Sequence, residues 1–350
     1  MEFSLFYFAN DSTDAGESGR YELLTEGARF ADAHGFAAVW TPERHFHPFG
    51  GLYPNPAVTG AALAAITKRI GIRAGSVVAP LHHPLRIAEE WSVVDNLSGG
   101  RVGISFASGW HPVDFALDPE AHPVRRERLV SALETVRKLW RGEAMPVVDG
   151  AGRDTQVRIF PPPVQRELPC WLTSSGSAGT FRLAGELKAG VLTHLLGQNL
   201  GELAAKIAEY RRAAADSHGW AGHVVLMMHT FLGDDADEVR ELVREPLRAY
   251  LSTSFNLSTG TIARGGVSFD PGSVDSSDLE FLIQRSFERF YENDGIFGTV
   301  EQGLRMVERL RAIGVDEVAC LIDFGVHTKA VLASLEHLNR LRMLAADTVS

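Results

Sequence analysis

Short runs of consecutive apolar, often β-branched residues recur along the chain at 3–8, 37–41, 70–78, 102–106, 170–173, 191–195, 224–231 and 317–322. Their apolar character is continuous rather than alternating, as a strand covered on both faces requires, so each reads as a strand of a parallel sheet. Between them, apolar residues fall three and four positions apart, as in Leu24/Ala28/Ala31, Ile87/Trp91/Val94, Leu129/Leu133/Val136, Leu203/Ile207/Tyr210, Met306/Leu310/Ile313 and Val331/Leu335/Leu338. That spacing lines one face of a helix. Strands and helices in strict alternation predict an α/β protein, a (β/α)8 TIM barrel, with a doubly wound open sheet as the rival.

Two stretches break the rhythm. Residues 142–168 carry Pro161-Pro162-Pro163 and predict a hairpin or a lid, and residues 252–298, rich in Ser, Gly and Asn, predict a lid. The chain is therefore expected to be one barrel domain over 1–350 with two insertions.

Composition narrows the partners. A net charge of −10 argues against nucleic acid, which needs clustered Lys and Arg. No apolar run is long enough to span a membrane, and residues 1–8 read as a first strand rather than a signal peptide. Cys170 and Cys320 lie in separate strands and read as free thiols of a cytoplasmic protein.

Barrel chemistry sits on the loops that follow the strands. After the fifth strand comes Ser174-Ser-Gly-Ser-Ala-Gly-Thr180, small hydroxyl-bearing residues opening a helix. Unpaired N–H groups and the helix dipole make such a start an anion site, and phosphate is the expected anion. The loop is rich in N–H and hydroxyl donors and poor in cations. His194 and Gln198, at the end of strand six, fall near this loop. After strand two, Glu43, Arg44, His45 and His47 put a carboxylate, a guanidinium and two imidazoles together; proton transfer and a structural Glu43–Arg44 pair both remain open. Gly75-Ser76 in strand three offers close backbone approach to a flat ring, or tight strand packing. His82 and His83 precede Pro84 and read as capping groups or ligands, Ser108 to His111 form a turn with a donor and a pocket wall, and His229 reads as core. Five histidines after three neighbouring strands also fit a metal site. With no histidine after strand five and only Asp323 after strand eight, no metal is expected.

In order along the chain, WTPERHF, the Pro54-Asn-Pro56 tripeptide, GSVVAPLHHP, the stretch 89–115, and TSSGSAGTFRLAG followed by LTHLLGQ resemble the bacterial luciferase-like flavin-dependent monooxygenases, in the branch of natural-product biosynthesis. The resemblance implies a barrel binding FMN or, in some branches, a deazaflavin. It puts the phosphate on Ser175, Gly176, Ser177 and Thr180, with Ser174, His194 and Gln198 around it. The ring is placed against Gly75-Ser76, which often carries a non-prolyl cis peptide in the family. The family's catalytic histidine position is held here by Arg44, with Glu43 before it and His45 aligned with a second histidine, so these three are the expected catalytic residues. A phosphate-binding arginine near strand four is replaced by Ser108, which implies that Arg182 or another cation compensates for the phosphate charge. The implied activity is a two-component monooxygenase, fed reduced FMN by a flavin reductase, that hydroxylates a small molecule or an intermediate on a carrier protein, working as a homodimer through its early helices. A deazaflavin-dependent oxidoreductase and a non-catalytic flavin-binding or carrier-docking protein are the alternatives.

Overall fold

In the computed structural model, which describes residues 1–8, 19–262 and 276–347, the alternation closes into a barrel. The first half runs β1 (Glu2–Phe6), α1 (Glu22–His34), β2 (Ala38–Thr41), α2 (Pro56–Ile66), β3 (Gly71–Val78), α3 (Pro84–Ser98), β4 (Val102–Ala107) and α4 (Arg125–Trp140). A hairpin of β5 (Met145–Val148) and β6 (Asp154–Val157) follows. The second half runs β7 (Cys170–Ser174), α5 (Ala178–Glu186), β8 (Gly190–His194), α6 (Leu200–His218), β9 (Val224–Leu232), α7 (Ala236–Ile262), α8 (Ser276–Arg289), β10 (Ile296–Gly298), α9 (Val300–Ala312), β11 (Glu317–Leu321) and α10 (Thr328–Asp347).

Eight parallel strands form the ring β1-β2-β3-β4-β7-β8-β9-β11, and the β11–β1 ladder closes it. Closure excludes the open-sheet rival. Seven of the eight expected strands match within a residue at either end. The expected first strand overran because Phe8 leaves the ladder, its N–H donating to Asp323 Oδ1 at 2.7 Å. The three-residue β10 pairs only with β9, outside the ring, and is too short to show as a run.

Of the two insertions, 142–168 is a hairpin and not a lid. Its Pro-rich end is tied to α3, where buried Asp95 accepts from Val164 N and Gln165 N at 2.7 and 2.9 Å. The C-terminus of α3 leads into the start of β4, so this insertion lies at the base of the barrel, away from the strand ends that carry chemistry. The lid expected at 252–298 falls partly on 263–275, outside the described residues; its described parts are the end of α7, α8, a π turn and β10. Both cysteines are buried free thiols, pushed by burial up to about 11 and about 12. No helix among the described residues is long and apolar enough to cross a membrane.

The base is stitched by one carboxylate. Fully buried Glu317, at the start of β11, accepts from Ser4 Oγ at 2.5 Å, Trp40 Nε1 at 2.9 Å and Arg73 Nη1 at 2.7 Å. The Arg73 guanidinium packs against both the Trp40 and Trp171 rings, 5.0 and 4.8 Å from their centroids. Burial pushes the Glu317 carboxyl up, but Arg73, His223 and the hydrogen bonds hold it below its ordinary range. His223 stands 3.8 Å from both Glu2 and Glu317. Trp171 Nε1 donates to its Nδ1 at 3.0 Å, so the ring proton sits on Nε2 and faces the carboxylates. That proton argues against a metal there.

Candidate active site

The opposite, C-terminal end of the ring collects the residues singled out from the sequence. Strand β2 ends at Thr41, and the chain delivers Glu43, Arg44 and His45 straight to the rim. Glu43 is buried and accepts three hydrogen bonds: its Oε1 from His45 Nε2 at 2.8 Å and His82 Nε2 at 2.5 Å, and its Oε2 from Val78 N at 2.7 Å.

 Three of the carboxylate's four lone-pair positions are thereby filled. Burial pushes the Glu43 carboxyl up, and the hydrogen bonds from His45 and His82 outweigh it, holding it below the usual carboxylate range. His82 moves the other way. Burial lowers its pKa, but Glu43 outweighs that, so it keeps its proton to higher pH than a free imidazole. Of the two arrangements left open by the sequence, Glu43 bonds to His45 and the Glu43–Arg44 pair does not form.

Arg44 instead turns to Asp114, in the turn after β4, with Nη1 2.6 Å from Asp114 Oδ2. Its guanidinium is 2% exposed and lies 5.0 Å from the Trp110 ring centroid. Burial pushes the Arg44 pKa down and that of Asp114 up. His111 is pushed down to about 4 by burial, then by Arg44 and His47, so it is neutral at pH 7. His47 and His83 serve their own turns, accepting from Phe49 N and Leu85 N.

The Gly75–Ser76 peptide is cis. A Cβ on Gly75 would lie 2.7 Å from Phe6 and 3.1 Å from Trp40, so core packing explains the glycine itself. Ser76 Oγ is 2.5 Å from Thr173 Oγ1, which is also bonded to Ser105 Oγ. This hydroxyl link joins β3 to the residue just before Ser174, bringing the cis peptide beside the anion loop. Ser108 follows β4 on the same rim, half-buried, and no hydrogen bond ties it to that loop.

The loop itself is a helix start. Ser177 caps α5, its Oγ accepting from Thr180 N, and Ser174 Oγ accepts from Gly176 N. Gly176 has φ +113°, and a Cβ there would lie 3.3 Å from Gln198 Oε1 and 3.4 Å from Lys206 Nζ. Lys206 Nζ donates to that same Gln198 oxygen at 2.8 Å, while Gln198 Nε2 donates to Thr193 Oγ1 and His194 O. An ammonium group therefore stands beside the loop, held by a neutral acceptor. Arg182 does not fill this place: it is paired with Glu209 on α6. His194 is pushed down to about 4 by burial, and Leu196 N donates to its Nδ1, leaving the proton on Nε2. His229, pushed down to about 3, lies among Tyr250, Phe290 and Phe324 as a core residue.

Sequence reasoning missed Lys206, Asp114 and the pairing of His82 with Glu43. Lys206 lies seven residues past the Asn199 cap of α6, two turns along one helix face, which is the signal that was there to read.

The coupled pair has a pH signature. The stability His82 contributes is full below pH 6.5 and is lost as pH rises through its raised value, whereas that of Glu43 is full above pH 4.5 and is lost as pH falls through its lowered value. The urea-midpoint difference between wild type and Glu43→Gln is therefore expected to be larger at about pH 5.5 than at about pH 9. Equal differences at both pH values would rule the coupling out.

A family model described as Luciferase-like monooxygenase matches residues 1–311. The oxygenase component of the flavin-dependent trigonelline monooxygenase of Acinetobacter baylyi is 24% identical over 97% of this chain and 93% of its own length. The oxygenating constituent of 3,6-diketocamphane monooxygenase from Pseudomonas putida, solved in complex with FMN, aligns over 97% of each chain with a TM-score of 0.76 and 20% identity. An F420-dependent secondary alcohol dehydrogenase aligns over 94% of this chain and 98% of its own, with a TM-score of 0.67 and 17% identity.

Proposed function

The chain belongs to the luciferase-like monooxygenase family, and from that membership we propose that it is the oxygenase component of a two-component system, using FMN reduced by a separate flavin reductase and molecular oxygen to oxidise a small organic substrate. The observation that supports a phosphate-bearing flavin is the loop at Ser174–Thr180, where free N–H groups at a helix start, a side-chain-free Gly176 and the Lys206 ammonium fit a phosphate. On the sequence resemblance, the substrate belongs to natural-product assembly, free or on a carrier protein, and the protein acts in the cytoplasm as a homodimer of single-domain chains.

When bound, reduced flavin supplies the electrons that activate oxygen. The chain's own residues do the rest. Ser175, Gly176, Ser177 and Thr180 hold the phosphate, with Lys206 balancing its charge. Glu43 keeps Nε2–H of both His45 and His82 turned toward itself, which fixes the imidazole orientations and leaves their Nδ1 atoms to accept or return a proton.

Binding separates the readings. FMN is expected to quench on titration into the protein, with riboflavin, which lacks the phosphate, weaker by on the order of tenfold. Lys206→Gln should weaken FMN and leave riboflavin unchanged, and Gly176→Val should weaken FMN further, because its branched Cβ enters the phosphate space at a positive φ. A deazaflavin is the second reading, favoured by the likeness to the F420-dependent dehydrogenase. Tight binding of coenzyme F420 with none of FMN would put it first.

A further inference from the structure

Among the described residues, five buried side-chain polar atoms lack a hydrogen-bond partner, and four of them stand together: Arg44 Nε, Arg44 Nη2, His111 Nδ1 and Asp114 Oδ1. Buried polar atoms are nearly always paired, so a cluster of four calls for a missing partner. The geometry says which kind. Asp114 uses only Nη1 of the guanidinium. The free edge is Nε with Nη2, two coplanar N–H donors whose spacing matches the two oxygens of a carboxylate.

The edge is also placed for a substrate. Arg44 stands between Glu43 and His45 in the sequence, on the rim where those two residues hold their proton-bearing pair. The guanidinium lies 5.0 Å from the centroid of the Trp110 ring, itself 44% exposed and next to Gly109 at φ +76°. Asp114 Oδ1, an acceptor, and His111 Nδ1, 3.8 Å apart, remain free for other polar atoms the ligand brings.

We propose that the Nε/Nη2 edge of Arg44 is a ligand-binding site for a carboxylate, and that the substrate of this enzyme is a small molecule bearing one. The second half rests on the oxygenase reading above; the binding site itself does not.

The test is calorimetric titration of flavin-free protein with benzoate, benzamide and acetate. Benzoate is expected to bind saturably, and benzamide, equal in shape but uncharged, more weakly by on the order of tenfold. Arg44→Lys keeps the charge opposite Asp114 but has no fork, and should lose benzoate to a similar degree. Arg44→Gln with Asp114→Asn removes both buried charges together and guards against a variant that merely fails to fold, with melting checked for each. Flavin titration on the same samples keeps the two questions apart: loss of FMN binding in wild type strikes the oxygenase reading alone. Equal binding of benzoate and benzamide, undiminished benzoate binding in Arg44→Lys, or no saturable binding of either carboxylate below roughly 10 mM would overturn the site.

Discussion

Glu317→Ala is expected to destabilise the fold by about 3–5 kcal/mol in urea denaturation, the cost of breaking a buried ion pair from one side. Glu317 is fully buried, and its removal takes away the carboxylate bonded to Arg73, whose guanidinium packs against two indole rings. Ser4 Oγ and Trp40 Nε1 lose their shared acceptor at the same time. Replacing both partners with apolar residues, as in Glu317→Leu with Arg73→Met, should recover most of the loss, because no charge is then stranded. Flavin binding should survive in both variants, since this network is at the base and the anion loop is at the other end of the strands. A Glu317→Ala protein within about 1 kcal/mol of wild type would show that the pair contributes little.

The second large effect concerns turnover. His45→Ala is expected to lower oxygen-dependent product formation by about 10²–10⁴-fold, the range for losing a positioned proton-transfer group, with FMN affinity unchanged. His45 is the more enclosed of the two imidazoles on Glu43, with a side chain 11% exposed against 31% for His82. His82→Ala should therefore cost less and act chiefly on the pH profile, because it alters the charge felt by Glu43. The check is steady-state turnover with a flavin reductase across pH, alongside flavin titration. Full activity in His45→Ala would hand the proton work to another group.

How much of this could be read in advance depends on whether a feature is local. Strands covered on both faces announce themselves as apolar runs, which is why their limits were legible to within a residue or two. The helix start at Ser177 was legible for the same reason, since a cap and its N–H groups lie within four positions. Partnerships across the barrel were not. Nothing in Thr-Pro-Glu-Arg-His tells Arg44 to choose Asp114, 70 residues on, over its neighbour Glu43. The fold decides it: Glu43 is taken by His45, His82 and Val78 N, and Arg44 by Asp114. Lys206 was hidden likewise, because a lone lysine on a helix reads as solvated until the packing of α6 on α5 sets it beside Gly176.

The bonds of Glu317 to Ser4, Trp40 and Arg73 join the last ring strand to the first three, across a separation of 313 residues between Glu317 and Ser4. During synthesis, β1 waits with one edge unpaired until β11, more than 300 residues later, has left the ribosome. An exposed parallel edge held open for that long invites mispairing with other nascent chains, and closing so distant a seam is intrinsically slow. The yield of folded protein should thus depend more on chaperone supply and low expression temperature than its equilibrium stability alone would suggest.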